Sequence, residues 1–489
     1  MWNNPRSRRR EEAEALAPRS IRLLRSAATP PLSRRAMLHR TGLGLGGLAL
    51  TSLFHSAGRT TGAPHFPAKA KAIILLFQSG GPGQMDLFDR KPELQKRDGQ
   101  KTPIAIDKFL PGNTDQLIAC PFPFRHYGQC GMELSELLPN LGGLADQLCL
   151  VRSMHTGHDN HTEGTVMLNT GHFTMGRPTI GAWISYGLGT GNRNLPTYVV
   201  LRDPAGYDTA GSLAWSPGWL SAAHGGTEFS SRGVPVPNLR PPAHISAEAR
   251  RDDLDFLATL NQQHRRSFPR ESELEARIGN YELAARMQTS ATTALDLANE
   301  SPATRALYGL DDTATAGYGT RCLLARRLVE SGVRFVQVYP DQQGQVWDTH
   351  NNMQRDTEKM CHQTDLPSAG LLKDLHARGL LDSTIVLWAG EFGRLPVSQN
   401  GTGRDHNKHA FSLLLAGGGF RGGQTYGETD EFGYKATVNR VSVSDLHATL
   451  LHQLGLDHTQ LTAEHHGRPD SLTDAPVTGA QVVRELIAR

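Results

Sequence analysis

The sequence predicts an α/β fold with a mostly parallel central sheet. Short apolar runs recur at residues 69–78, 147–152, 197–201, 333–339, 384–388 and 411–415. Helical patterns separate most of them, and strands alternating with helices pair in parallel beneath two helical layers. Several runs are apolar almost throughout, as expected of strands buried on both faces.

The elements follow in order. Residues 1–40 hold ten Arg and three Glu, so the net +3 of the 489-residue chain divides into +7 there and −4 over residues 41–489. Ser33-Arg34-Arg35-Ala36-Met37-Leu38 precedes a short, Gly-rich apolar stretch that ends near Phe54. Paired arginines before such a stretch read as a twin-arginine export signal. The stretch is shorter than the roughly 20 residues of a membrane span. The expectation is a signal and linker over residues 1–68, the twin-arginine translocase as export partner, and a periplasmic or extracellular mature protein. That route carries folded proteins, often with a metal or cofactor already bound. The net-acidic remainder shows no nucleic-acid footprint.

The run 69–78 reads as the first central strand. It leads into Gly80-Gly81-Pro82-Gly83, where glycines let the backbone turn sharply, and then into Asp86 and Asp89. Residues 135–145 read as a helix and 147–152 as the second strand. His155, His158 and His161 then recur at spacing three before a helix over 165–170. His161 and Thr162 stand at that helix start, where the free N–H groups favour an anion. A second helix is expected at 179–188 and a third strand at 197–201.

Residues 203–245 are rich in Gly, Pro and Ser, include Trp215 and Trp219, and read as a cap loop. Residues 246–310 are charged and helical, an insertion on the sheet edge. A helix over 318–331, the strand 333–339 and a helix over 366–378 ending at Gly379 follow. The strands 384–388 and 411–415 complete the sheet. A helix over 444–454 is entered by Ser444-Asp445, and residues 476–489 read as a tail or a last helix.

Acids and imidazoles collect at the strand ends. Asp348 and His350 follow the strand 333–339. Glu391 and Arg394 follow 384–388. Asp405 and His406 precede 411–415, with His409 close behind. In an open α/β sheet ligands bind at the carboxyl ends of strands, and hard oxygens mixed with imidazole suit Zn, Mn or Fe. The candidate ligands are Asp86, Asp348, His350, Glu391, Asp405 and His406. Arg394 either pairs with Glu391 or neutralises an anionic substrate. The five cysteines include no CxxC pair, which argues against a thiolate zinc site. Cys120 and Cys130 are a possible pair in an oxidising compartment.

The set Gly80-Gly81-Pro82…Asp86…Phe88-Asp89…Lys91-Pro92, Trp347-Asp348-Thr349-His350, Arg378-Gly379-Leu380-Leu381-Asp382, Gly390-Glu391-Phe392-Gly393-Arg394, Gly403-Arg404-Asp405-His406, Gly417-Gly418-Gly419 and Thr429-Asp430 resembles the DUF1501 family. That family consists of secreted proteins common in planctomycetes, grouped with the alkaline phosphatase and sulfatase superfamily. The resemblance covers residues 69–475 and implies an alkaline phosphatase-like α/β/α sandwich with a helical insertion. It implies one or two divalent ions (Zn, Mn, Ca or Mg) and hydrolysis of sulfate or phosphate esters, small or polysaccharide. The superfamily's Cys/Ser-x-Pro-x-Arg nucleophile motif is absent. Thr162, with His161 beside it, or a water takes that role, and Arg394 or Arg404 stabilises the developing anion. The alternative is a binding or scaffold protein on the same fold.

Overall fold

The computed structural model describes residues 62–231, 246–268, 278–287, 295–341 and 347–488. The expected export signal, the end of the cap loop and parts of the helical insertion lie outside the described residues.

Nine strands form the central sheet. In spatial order they are β13 (Gln424–Tyr426), β5 (Leu148–His155), β12 (Phe411–Ala416), β9 (Thr384–Ala389), β1 (Ala72–Phe77), β8 (Phe335–Val338), β6 (Tyr198–Arg202) and β7 (Thr227–Ser230), with β16 (Val441–Ser442) beside β5. Only β12 runs against the rest, pairing antiparallel with β5 and β9. All six residues of β1 are buried. Ile74 and Leu76 enter the apolar layer under α4 (Ala316–Glu330) and α5 (Met353–Ala377). Ile73, Leu75 and Phe77 enter the opposite layer, under α1 (His161–Thr170), α2 (Ile180–Leu188) and α6 (Val443–Gln453). The uninterrupted apolar run is thus a strand covered by helices on both faces.

A second, three-stranded sheet sits at the carboxyl ends of the central strands. Its order is β11 (Gly403–Asn407), β10 (Gly393–Gln399), β2 (Asn113–Leu117). Two hairpins, β3 (Phe124–Tyr127) with β4 (Met132–Ser135) and β14 (Glu428–Thr429) with β15 (Ala436–Val438), complete this part of the fold.

Four expectations shift. The helix read at 135–145 shrinks to Pro139–Gly142, because Ser135 ends β4 and Pro139 starts a new turn. α5 starts at Met353 and runs through Pro367. Residues 367–372 are all buried there, and packing outweighs the amide that proline lacks. The cap for α6 is Ser442, in a capping box with Asp445, two residues before the expected one. Residues 227–230 of the cap loop are the edge strand β7. The insertion begins with the helix α3 (Ala247–Ser267). All five cysteines are free, with Cys120 buried and Cys130 exposed. Among the described residues no helix is long and apolar enough to cross a membrane.

The turn after β1 approaches the segment after β8 closely. Gly80 has φ +107°, and a Cβ there would lie 2.6 Å from the Trp347 amide nitrogen and 2.7 Å from that of Asp348. Only glycine fits both the conformation and the space. Gly80→Ala is therefore expected to lower the unfolding midpoint and to displace the Trp347–Asp348 backbone. Denaturant titration together with metal content checks this, and an unchanged pair of values would contradict the packing.

Candidate metal centre

Three strand ends and one helix start deliver the site. Asp348 and His350 follow β8, Glu391 follows β9, and His406 lies on β11. His161 is the first residue of α1. His161, Asp348, His350 and His406 form a group whose facing ligand atoms all lie within 4.8 Å of one another. Asp348 Oδ1 stands 2.7 Å from His350 Nε2, 3.2 Å from His161 Nε2 and 3.3 Å from His406 Nε2.

The opposite nitrogen of each imidazole is anchored. His406 Nδ1 meets the Asp159 carbonyl at 2.6 Å, His350 Nδ1 meets Gln399 Oε1, and His161 Nδ1 meets Glu391 Oε1 at 2.6 Å. Each of these oxygens accepts, so each Nδ1 carries the proton and each neutral ring turns its Nε2 lone pair to the centre. His161 Nε2 is buried and has no hydrogen-bond partner. Three inward lone pairs beside a carboxylate oxygen are a poor arrangement for anything but a cation. The donor set, three nitrogens and one oxygen, fits a transition metal such as zinc or manganese. Mg and Ca prefer oxygen cages.

Two carboxylates and one guanidinium set the field of the centre. Burial works against the Asp348 carboxylate, but Arg394 and the three imidazoles prevail and hold it well below the usual carboxylate range. Burial also disfavours a charged His161, yet Asp348 and Glu391 raise it. Burial, with Arg394 and His161 nearby, pushes His406 down to about 4. His406 is therefore neutral at pH 7 and free to act as a ligand.

The cluster differs from the expected ligand set. Glu391 grips the far side of His161 and also accepts the Gly80 N–H at 2.8 Å. Asp86 is buried in a two-pronged pair with Arg404, both contacts 2.9 Å. Asp405 is spent on the chain around it, accepting the N–H groups of Phe109, Leu110 and His406. Asp89 is held by Lys91, Arg152 and Thr429. His409 pairs with Asp107. Of the histidines before α1, His161 alone joins the group, and His158 accepts the Asn160 N–H instead.

The expected catalytic residues also find other partners. Arg394 and Arg404 are fully buried. Arg394 donates to the carbonyls of Gly80, Gly81, Trp347 and Arg404 and to Asp348. Neither guanidinium reaches solvent. The Thr162 hydroxyl donates to the Thr209 carbonyl at 3.4 Å. Trp215 is buried and Trp219 stacks on His465.

Sequence reasoning missed Gln399 and the Asp159 carbonyl, because anchors of this kind have no motif. It also missed Asp208. That carboxyl has one buried oxygen without a partner, and burial together with Glu391 pushes it up to about 7.

The family whose description reads "Protein of unknown function (DUF1501)" matches residues 70–487. The chain belongs to the DUF1501 family. No curated protein matches the sequence. Among solved structures, this DUF1501 chain is similar to a sulfatase from Pseudoalteromonas sp., with 12% identity over 79% of this chain and 68% of that one, TM-score 0.34. It is similar to a protein in the alkaline phosphatase superfamily from Vibrio parahaemolyticus, with 11% identity over 81% and 70%, TM-score 0.35. It is also similar to a phosphonate monoester hydrolase from Silicibacter pomeroyi, with 11% identity over 71% and 72%, TM-score 0.31. Likeness this distant carries no chemistry from those proteins to this DUF1501 protein.

Two outcomes follow from the site's wiring. Breaking the buried Asp86–Arg404 pair by Asp86→Ala leaves an uncompensated guanidinium and costs about 3–5 kcal/mol. Unfolding titration reads that loss, while the folded fraction keeps its full metal content. A ligand role for Asp86 would instead empty the site.

The second outcome concerns pH. His447 is fully buried, its Nε2 donates to the Leu168 carbonyl, and burial pushes it down from 6.5 to about 4. The unfolded chain therefore binds more protons between those values. The contribution is fully present above pH 6.5 and fades as pH falls toward 4, by at most about 1.4 kcal/mol per pH unit. Unfolding midpoints across that window should fall with pH, and His447→Gln should flatten the slope.

Proposed function

We propose that this protein is an exported, metal-dependent hydrolase of sulfate or phosphate esters. The observation that carries the reading is the convergence of three imidazole Nε2 atoms on Asp348, each ring fixed from behind. His161, His350, His406 and Asp348 would hold one ion, with zinc or manganese favoured by the nitrogen-rich set. Such an ion, when bound, polarises an ester oxygen and lowers the pKa of a water ligand.

The chain's own residues supply the rest. α1 begins inside the site, and its cap residue Asn160 makes no side-chain cap bond. The first-turn N–H groups of α1 therefore lack a capping side chain, which leaves them open to an anionic ester. Glu391 and Gln399 keep His161 and His350 aimed. Asp208, with its carboxyl near 7, is placed to hold or release a proton at neutral pH. The Thr162 hydroxyl is taken by a backbone carbonyl, which favours water over Thr162 as the attacking group.

Export by the twin-arginine translocase, and so a periplasmic or extracellular location, is part of the same proposal. It rests on the Arg34-Arg35 leader and on a route that suits a metal loaded before translocation. The rival, a metal-holding binding protein, draws support from one observation. Both arginines that would neutralise a substrate anion are buried and spent on the fold.

Metal analysis and activity separate the two. The purified chain should carry about one equivalent of zinc or manganese, and the folded fraction of Asp348→Asn should lose it, with a lower unfolding midpoint in chelator because buried Arg394 is left without its carboxylate. Aryl and sugar sulfate or phosphate esters should turn over with the loaded protein alone. A full metal complement in Asp348→Asn would refute the ligand set. Loaded protein inert to every such ester would leave the binding protein.

A further inference from the structure

The His406 ring has two phenylalanine neighbours in different settings. Phe392 packs on it with ring centroids 4.7 Å apart and is fully buried. Phe109 stacks on it at 5.4 Å with an interplanar angle of 24°, yet stays 40% exposed. A phenylalanine left this open beside a polar centre forgoes burial that would stabilise the fold.

Its placement is nonetheless fixed. Asp405, wholly buried, takes the N–H of Phe109 at 3.0 Å and that of Leu110 at 2.8 Å through one oxygen, which also receives the Asn113 side-chain amide. Its other oxygen takes the N–H of His406 at 2.8 Å. One carboxylate therefore clamps the Phe109 loop to the strand that carries His406. The same loop is tied down on either side, where the Asp107 N–H donates to the Tyr434 hydroxyl and Gln399 donates to the Pro111 carbonyl. An exposed aromatic face held rigidly at the edge of a reactive centre is the form of a binding platform.

We propose that Phe109 is a specificity-determining residue that receives the flat apolar face of a ring-bearing leaving group. The shared chemistry is a ring with one face of C–H or π surface, either an aryl group or a pyranose. Asp405 is the positioning residue that holds Phe109 in place. This inference rests on the hydrolase reading, since it assigns the group attached to the ester.

Binding of non-hydrolysable phosphonates to the zinc-loaded full chain tests it by calorimetry. The probes are methylphosphonate, phenylphosphonate and a glucopyranosyl methylphosphonate. The native protein should prefer at least one ring-bearing probe over methylphosphonate by about five- to tenfold. The preferred arm tells aryl from pyranose. Phe109→Ala should erase that preference with methylphosphonate affinity and zinc content unchanged, and Phe109→Trp should restore it. A preference retained in Phe109→Ala overturns this proposal and leaves the hydrolase reading standing. A zinc-loaded native protein that binds methylphosphonate without preferring either ring does the same. No phosphonate bound by the native protein overturns both.

Discussion

One buried guanidinium organises the active end of this molecule. Arg394 touches the turn after β1 at Gly80 and Gly81, the segment after β8 at Trp347 and Asp348, and β11 at Arg404. The farthest of them, Gly80, is 314 residues from Arg394 in sequence. A guanidinium offers five donors in a rigid plane, so a single side chain fixes three backbone segments and one carboxylate in a shared geometry. The charge is kept inside the protein because Asp348 faces it and four carbonyls share the remaining donors. Removing either side of that arrangement strands a buried charge.

A second pair lies beneath the first. Arg404, whose carbonyl Arg394 holds, reaches Asp86 through two parallel contacts. β10 and β11 are thereby riveted to the turn after β1 by two arginines that sequence inspection assigns to catalysis. An arginine beside a glycine turn near a strand end looks the same in sequence whether it faces a ligand or the backbone. Its burial decides, and burial is a property of the assembled sheet.

The metal centre depends on the same arrangement. Asp348 is aimed by Arg394, and three imidazoles are aimed by three unrelated acceptors. A rigid outer layer of this kind sets ring orientation and tautomer before any ion arrives. It also leaves Glu391 one step behind the cluster, where its carboxylate holds the far side of His161. An Asp-His pair in sequence and a Glu after a strand are therefore both legible as parts of one site, but their order outward from the centre is not.

By itself the sequence determined the β1, β5, β6, β8, β9 and β12 strands, through apolar runs that tolerate no water on either face. It also determined Asp348, His350 and His406 as neighbours of one centre, because they sit at strand ends that an α/β sheet gathers at one edge. It marked His161 too, at a helix start beside those ends. Only the tertiary structure decided the partners of Asp86, Asp405 and Glu391, which lie on Arg404, on the Phe109 loop and on His161 with Gly80. Carboxylates at similar places in sequence are distinguished by what donates to them, and those donors come from segments hundreds of residues away. The small sheet of β2, β10 and β11 was not read from the sequence either, since its strands are short and mostly polar, and the apolar cluster of Leu117, Leu395 and Val397 forms only when distant segments meet.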